Sequence, residues 1–276
     1  MLSDDDKEQF RKLGYLIKPA MIDPDRAAAV AEEIDRYVEA EPRFDGSNIW
    51  KYDRLCDLIV DPQTLAITDD IMGGEAFTFH HCHAARHDPG LAGIAWHHDY
   101  EQIPQTNRSH TQLHVLHYLD GLNGTVGDLL LLPKSHRSVM RRDAMAFLGD
   151  QLVPGTVVVN DIPPGSVVFA HSALVHTRRP QPGGGDRKRY FIDIAFMQNG
   201  IQWPSYGREG WRETLDAMDR KLHMPSRPTL FSKDNFFDIA DGVARVHRLP
   251  GSLAMLLPEQ AASARPVSGA IPIVQS

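Results

Sequence analysis

Cysteine is nearly absent. The 276 residues hold two, Cys56 and Cys82, in no CxxC pair and at no zinc-finger spacing. This excludes a disulfide-stapled scaffold and a cysteine-ligated zinc module, and both thiols read as free in a reducing compartment. Long apolar runs are missing too: Leu129–Leu132 stops at Pro133 and has the length of a core strand, far short of the roughly 18 residues of a spanning helix. The start, Met1-Leu2-Ser3-Asp4-Asp5-Asp6, is acidic where a secretion signal would be basic and then apolar. A cytoplasmic protein with no membrane partner is expected. Excess positive charge is lacking as well, and a net charge of −7 argues against a nucleic-acid partner. There is no internal repeat and no low-complexity tract.

Histidine, by contrast, is plentiful. Ten of the 14 histidines fall between His80 and His136. A metal site would produce such clustering, and so would half-buried strand histidines. Within it stands Trp96-His97-His98-Asp99-Tyr100, which sets an imidazole and a carboxylate two residues apart. On an extended segment both side chains point to one face. One histidine and one carboxylate make two-thirds of a 2-His-1-carboxylate non-haem iron site.

Local signals outline the fold. Ser3 caps a helix over 4–13, and Gly14 ends it. Tyr15-Leu16-Ile17 reads as a strand. Asp23-Pro24 opens a helix to about residue 40, with Ala27, Val30, Ala31, Ile34 and Val38 at helical spacing. After a looser region, a second helix spans 62–72 and ends at Gly73-Gly74. From residue 76 short β-branched runs take over, at 76–85, 94–100, 111–119, 128–132, 152–159, 166–170, 174–177 and 189–196. Turn formers separate them, among them Asp88-Pro89-Gly90, Asn123-Gly124, Pro163-Pro164-Gly165 and Gly183-Gly184-Gly185. The pattern predicts a mainly β protein with surrounding helices, its core a double-sheet jelly roll. One catalytic domain over 1–276 is expected: helical support to residue 75, a jelly-roll core over 76–197 with a helical insertion near 137–148, then a helix over 209–222 and an irregular tail.

Two later histidines, His171 and His176, compete to complete the site. His176 leads into a glycine-rich loop, and Arg187 stands 11 positions after it. A fixed arginine near an iron is suited to a distal carboxylate, because its planar fork matches that group bidentately.

Three segments together resemble the phytanoyl-CoA dioxygenase family of iron(II)/2-oxoglutarate oxygenases. Trp96-His97-His98-Asp99 is similar to the family's W-H-x-D. Leu119-Asp120, Asn123-Gly124 and Pro133-Lys134-Ser135-His136 resemble its L-D … N-G … P-G-S-H. Pro164-Gly165-Ser166 through His176 to Arg187 resembles its G-D … H … R. The resemblance implies a double-stranded β-helix (jelly-roll, cupin-like) fold, His97, Asp99 and His176 as iron ligands, and Arg187 as the 2-oxoglutarate clamp. Since relatives line the pocket with the equivalent strand, it also makes Arg86 and His80 candidates for ligand contact. Three departures stand out: Lys134 in place of the usual glycine, which suggests a different turn, Arg178 where many members carry a small hydroxyl residue, and Leu116 where some carry tryptophan.

The implied activity uses Fe(II), 2-oxoglutarate and O2 to hydroxylate an unactivated C–H bond of a small-molecule substrate, with succinate and CO2 as coproducts. Arg137, Arg141, Arg142, Arg178, Arg179 and Arg189 could form a basic rim for an anionic substrate. The alternatives are a cupin-like metalloenzyme that does not use 2-oxoglutarate, such as an isomerase or ring-cleaving dioxygenase, and a non-catalytic jelly-roll binding protein. Parity places at most one of His114 and His117 inward, and puts His98 and His171 in packing roles.

Overall fold

The computed structural model describes residues 1–41, 46, 48–87, 91–102, 108–180, 188–206 and 210–238. The turns at 88–90 and 183–185, the start of the predicted helix at Glu209 and most of the tail lie outside them.

Helix α1 (Asp4–Leu13) begins in a reciprocal cap. Asp6 N–H donates to Ser3 Oγ at 3.1 Å, and Ser3 N–H donates to Asp6 Oδ2 at 3.4 Å. Gly14 ends it at φ 86 and delivers the chain into β1 (Tyr15–Lys18). Asp23 caps α2 (Pro24–Ala40), which buries Ala27, Val30, Ile34 and Tyr37 along one stripe. Then come α3 (Asp53–Ile59) and α4 (Pro62–Ile71). No capping signal announces α3, since Tyr52 makes no side-chain cap bond. Burial of Leu55, Cys56, Leu58 and Ile59 holds that short helix instead.

The strands are β2 (Phe77–His87), β3 (Gln112–Tyr118), β4 (Leu122–Asn123), β5 (Asp128–Leu131), β6 (Val157–Val159), β7 (Asp161–Ile162), β8 (Ser166–His171), β9 (His176–Arg179), β10 (Arg189–Gln198), β11 (Trp203–Pro204) and β12 (Phe236–Phe237), with α5 (Trp211–Leu222) between the last two. They form an antiparallel five-stranded sheet in the order β1-β8-β3-β10-β2 and an antiparallel three-stranded sheet β6-β5-β9. Two-stranded pairs β4-β7 and β11-β12 complete the set.

Alternation along the strands builds two cores. Leu113, Val115, Val167, Phe169, Ile192 and Ile194 pack with Val30 and Ile34 on the helical side. Leu116, Tyr118 and Val168 pack with Leu129, Leu131 and Val159 between the sheets. Each fully buried Val, Leu, Ile or Phe contributes about 1.5–3 kcal/mol. A bulge where β2 meets β10 at Ala195/Phe196 inserts His80 and inverts the alternation. Phe77, Phe79, Cys82 and Ala84 thus all join the helical-side core.

Two expectations fail here. Residues 94–100 form no regular strand and pair only through the single bridge His97↔His176. Near 137–148 there is no α-helix, only the 3₁₀ turns Ser135–Arg137 and Ala146–Leu148. The Arg142 carbonyl, which a helix would offer to Ala146, accepts the His98 N–H at 3.2 Å, and the Ala146 N–H turns to Asp143 O at 2.9 Å. Met140, Met145 and Leu148 fold back onto Trp96, Leu130 and Val175. Lys134 adopts φ 72, the left-handed backbone that glycine favours, so the departure is one of residue rather than of turn. Among the described residues no helix is long and apolar enough to cross a membrane.

Candidate active site

The His97–Asp99 segment is fastened along its backbone to the start of β9 and to the turn that follows β8. His97 N–H donates to His176 O at 3.0 Å, His176 N–H to His97 O at 2.8 Å, and Asp99 N–H to Ser172 O at 2.7 Å. Ser135 Oγ accepts the Val175 N–H at 2.8 Å, so the Pro-Lys-Ser-His turn braces the chain just before His176. His136, next to it, packs against Gly14 at the end of α1.

This bracing brings three side chains together. Asp99 Oδ2 lies 3.7 Å from His97 Nε2 and 3.4 Å from His176 Nε2. Each imidazole donates from Nδ1 to a carbonyl two residues back, His97 to Ala95 O at 2.7 Å and His176 to Leu174 O at 3.0 Å. The proton is thereby held on Nδ1, and the Nε2 lone pairs converge with the carboxylate. Burial, reinforced by the neighbouring His97, lowers the His176 pKa to about 4. Burial pushes the Asp99 carboxyl up, but His97, His176 and Arg142 outweigh it and hold it well below the usual range. At neutral pH the group therefore offers one carboxylate and a neutral His176 imidazole, the protonation a divalent metal requires.

A second His-His-Asp cluster stands on β2, β3 and β10: His81, His114 and Asp193. Its chemistry differs. His114 Nδ1 lies 2.8 and 2.9 Å from the two Asp193 oxygens, with His81 Nε2 3.6 Å away. Burial disfavours the charged imidazole, yet the Asp193 carboxylate wins and raises the His114 pKa to about 9. A proton therefore sits between ring and carboxylate, where a metal would have to displace it. Both clusters have metal-ligating side chains, but in the His97–Asp99–His176 group the two imidazoles turn Nδ1 to carbonyls and aim Nε2 at the carboxylate, whereas His114 shares a proton with Asp193.

Two arginines stand nearby, Arg189 buried and Arg178 half-buried. Arg189 opens β10, 4% exposed, with its guanidinium 5.2 Å from the Tyr118 ring and 5.6 Å from the Phe191 ring. Arg178, two residues after His176, is paired in register with Leu129, a member of the core between the sheets. Among the described residues Arg189 Nε and Nη1 and Arg178 Nε are buried without hydrogen-bond partners, while Arg178 Nη2 donates to Ala92 O. Burial, with Arg189 nearby, lowers the Arg178 pKa to about 10. Buried donors are normally satisfied. Two guanidiniums with orphaned N–H groups and no carboxylate paired to them among the described residues call for an anionic ligand.

Residues 10–188 match the sequence profile of the phytanoyl-CoA dioxygenase (PhyH) family. The chain belongs to that family. Membership, together with the ligand set, makes it an enzyme of the iron- and 2-oxoglutarate-dependent oxygenase type. No curated protein matches it. Solved structures share its jelly-roll fold at low identity. HygX from Streptomyces hygroscopicus, with nickel and 2-oxoglutarate bound, is 15% identical with a TM-score of 0.59, over 74% of this chain and 90% of that one. The 2-oxoglutarate-dependent carbocyclase SnoK of nogalamycin biosynthesis is 19% identical at 0.58, over 73% and 86%. EvdO2 from Micromonospora carbonacea var. aurantiaca is 20% identical at 0.56, over 72% and 91%.

The remaining candidates in this PhyH-family chain fall elsewhere. Arg187 lies outside the described residues. Arg86 is turned to the helical side of its sheet, where Nη1 donates to Asp35 of α2 at 2.8 Å, so it does not reach the space between the sheets. His80, at the bulge, sits 3.2 Å from Pro204 O and 3.5 Å from Glu101 Oε2. His114 points inward while His117 is buried on the opposite face, its pKa lowered to about 4 by burial. His171 stacks on Tyr100. No continuous basic rim forms: Arg189 is interior, Arg178 is half-buried with Nη2 on Ala92 O, Arg179 pairs with Asp128 at 2.5 Å, and Arg142 with Asp99 at 2.8 Å. Arg189 alternates with Phe191 and Asp193 along β10, and that alternation is the sequence signal that places it inward.

Proposed function

We propose that this PhyH-family enzyme is an iron(II)- and 2-oxoglutarate-dependent hydroxylase acting on a small polar or anionic metabolite or natural-product intermediate. The observation that carries the reading is the convergence of two Nε2 lone pairs and Asp99 Oδ2, together with two guanidiniums that each leave a buried N–H unpaired among the described residues. His97, Asp99 and His176 would hold the iron. Arg189, with Arg178, would take the distal carboxylate of 2-oxoglutarate, whose other end reaches the metal. His176 and Arg178 are two residues apart on one strand, roughly 7 Å, a spacing a five-carbon diacid can bridge.

When bound, iron with 2-oxoglutarate and dioxygen supplies oxidation of an unactivated C–H bond, releasing succinate and CO2. The chain supplies the rest. The Nδ1–H bonds of His97 and His176 aim their Nε2 atoms at the centre, and Arg178 and Arg189 orient the diacid. Trp96, Leu130 and Val175 pack together behind the backbone that carries the three ligands. His81, His114, Asp193 and Glu101 provide a polar wall, which supports a polar substrate. Asp99 occupies with a protein carboxylate the position that related halogenases leave to a halide, and this favours hydroxylation.

Anaerobic titration with Fe(II) and 2-oxoglutarate should give a 2-oxoglutarate-dependent absorption band. Succinate release in air, screened over candidate substrates with product analysis, then separates hydroxylation from epimerisation or ring closure. Iron binding without the band would overturn the cosubstrate half of the reading.

A further inference from the structure

Arg142 lies on the segment between β5 and β6, outside the three metal-ligating side chains. Its Nη2 donates to Asp99 Oδ1 at 2.8 Å, leaving Oδ2 as the oxygen that faces both Nε2 atoms. The same segment is stitched to the Trp96–Asp99 backbone at several points. His98 N–H donates to Arg142 O at 3.2 Å, and Trp96 N–H to Gly149 O at 2.9 Å. Trp96 Nε1 donates to Gln151 O at 2.8 Å. The fully buried His98 donates from Nε2 to Met140 O at 2.9 Å while its Nδ1 accepts the Tyr100 N–H at 3.2 Å. Alternate residues therefore divide the work: His97 and Asp99 face the metal centre, and Trp96 and His98 hold residues 138–151.

We propose that Arg142 is a positioning residue that keeps Asp99 a one-oxygen metal ligand and couples the docking of residues 138–151 to occupancy of the centre. This rests on the metal reading above. A carboxylate free to rotate can chelate through both oxygens and consume a coordination position that 2-oxoglutarate and dioxygen need. A charge-assisted hydrogen bond to Oδ1 opposes that rotation. In return, a metal drawing Oδ2 inward fixes the carboxylate on which the guanidinium rests.

The test compares Arg142→Met, Arg142→Lys and Arg141→Met in the full chain, with chelator-stripped protein titrated anaerobically with Fe(II). Arg142→Met should weaken Fe(II) binding by about 10–100-fold, the usual effect of removing a group that orients a ligand, and Arg142→Lys should recover part of it. Arg141, 47% exposed and 3.7 Å from Asp143, should be silent. Amide exchange over 138–151 should slow on adding Fe(II) to wild type and not in Arg142→Met. Wild-type Fe(II) affinity in Arg142→Met, an equal loss in Arg141→Met, or metal-independent exchange in wild type overturns the proposal alone. Should Arg142→Met not fold, wild-type exchange with and without Fe(II) still decides. Wild type that binds no Fe(II) overturns the metal reading as well.

Discussion

Arg189→Met separates ligand binding from stability with opposite signs. Among the described residues the buried guanidinium has no hydrogen-bond partner at Nε or Nη1, so the ligand-free protein carries its desolvation cost uncompensated. Each unsatisfied donor costs about 1–3 kcal/mol. The arginine's interaction with the Tyr118 and Phe191 rings returns about 1–2 kcal/mol. Methionine keeps the apolar stem, so the ligand-free variant should be as stable as wild type or more stable by up to a few kcal/mol. Binding should move the other way. Two charge-assisted hydrogen bonds to a carboxylate contribute about 1.5–3 kcal/mol each, so their loss weakens 2-oxoglutarate binding by at least about 100-fold. With Ni(II) present and 2-oxoglutarate at about 100 times its wild-type Kd, wild type gains about 2.7 kcal/mol. A 100-fold weaker variant gains about 0.4 kcal/mol under the same conditions. Urea denaturation with and without the two ligands measures both quantities. A variant that keeps the full wild-type increment refutes the assignment. So does loss of the increment in Arg187→Met but not in Arg189→Met, which would return the clamp to the spacing of the family pattern.

Three further outcomes are expected. Metal analysis should find one iron per chain, lost in His176→Ala and retained in His114→Ala; the reverse would move the centre to the His81–His114–Asp193 cluster. Gly14→Ala should destabilise by about 1–3 kcal/mol, because a Cβ there falls 2.4 Å from His136 Nδ1 at a backbone φ of 86, and unchanged denaturation would contradict that packing. Burial, with His136 and Arg108 nearby, lowers the His171 pKa from 6.5 to about 3. The unfolded chain therefore takes up this proton first as pH falls. The contribution is complete above pH 6.5 and is lost between there and about pH 3, approaching about 1.4 kcal/mol per pH unit. Denaturation midpoints across that window should fall less steeply in His171→Gln; parallel curves would place the acid sensitivity elsewhere.

Signals that act within a few residues were legible in the chain itself. Ser3 and Gly14 bound α1, Asp23-Pro24 opens α2, and short apolar runs set off by turn formers announce β3, β5, β8 and β10. The His97/Asp99 spacing and the later His176 marked the residues that meet, because side chains two apart on extended backbone share a face whether or not a ladder forms. That spacing held even though residues 94–100 are bridged rather than paired as a strand. Helix α3 was illegible because it has no cap and is held by burial alone.

What only the tertiary structure decided concerns partners across sheets. Arg178 and Arg189 sit on different strands of different sheets, and closure of the sandwich makes them neighbours while sending Arg86 to the opposite face. The bulge at His80 changes which histidines of β2 look inward, and a one-residue shift of that kind follows from pairing with β10 rather than from β2 itself. Arg142 reads as one charge among several in a solvated run, yet it ends on Asp99 because His98 takes its carbonyl and prevents the local helix. By itself the sequence determined the family, the secondary elements with local signals and the two histidines and carboxylate that converge. Folding alone chose the cations around them, since strand register and sheet closure are set by contacts between residues far apart in the chain.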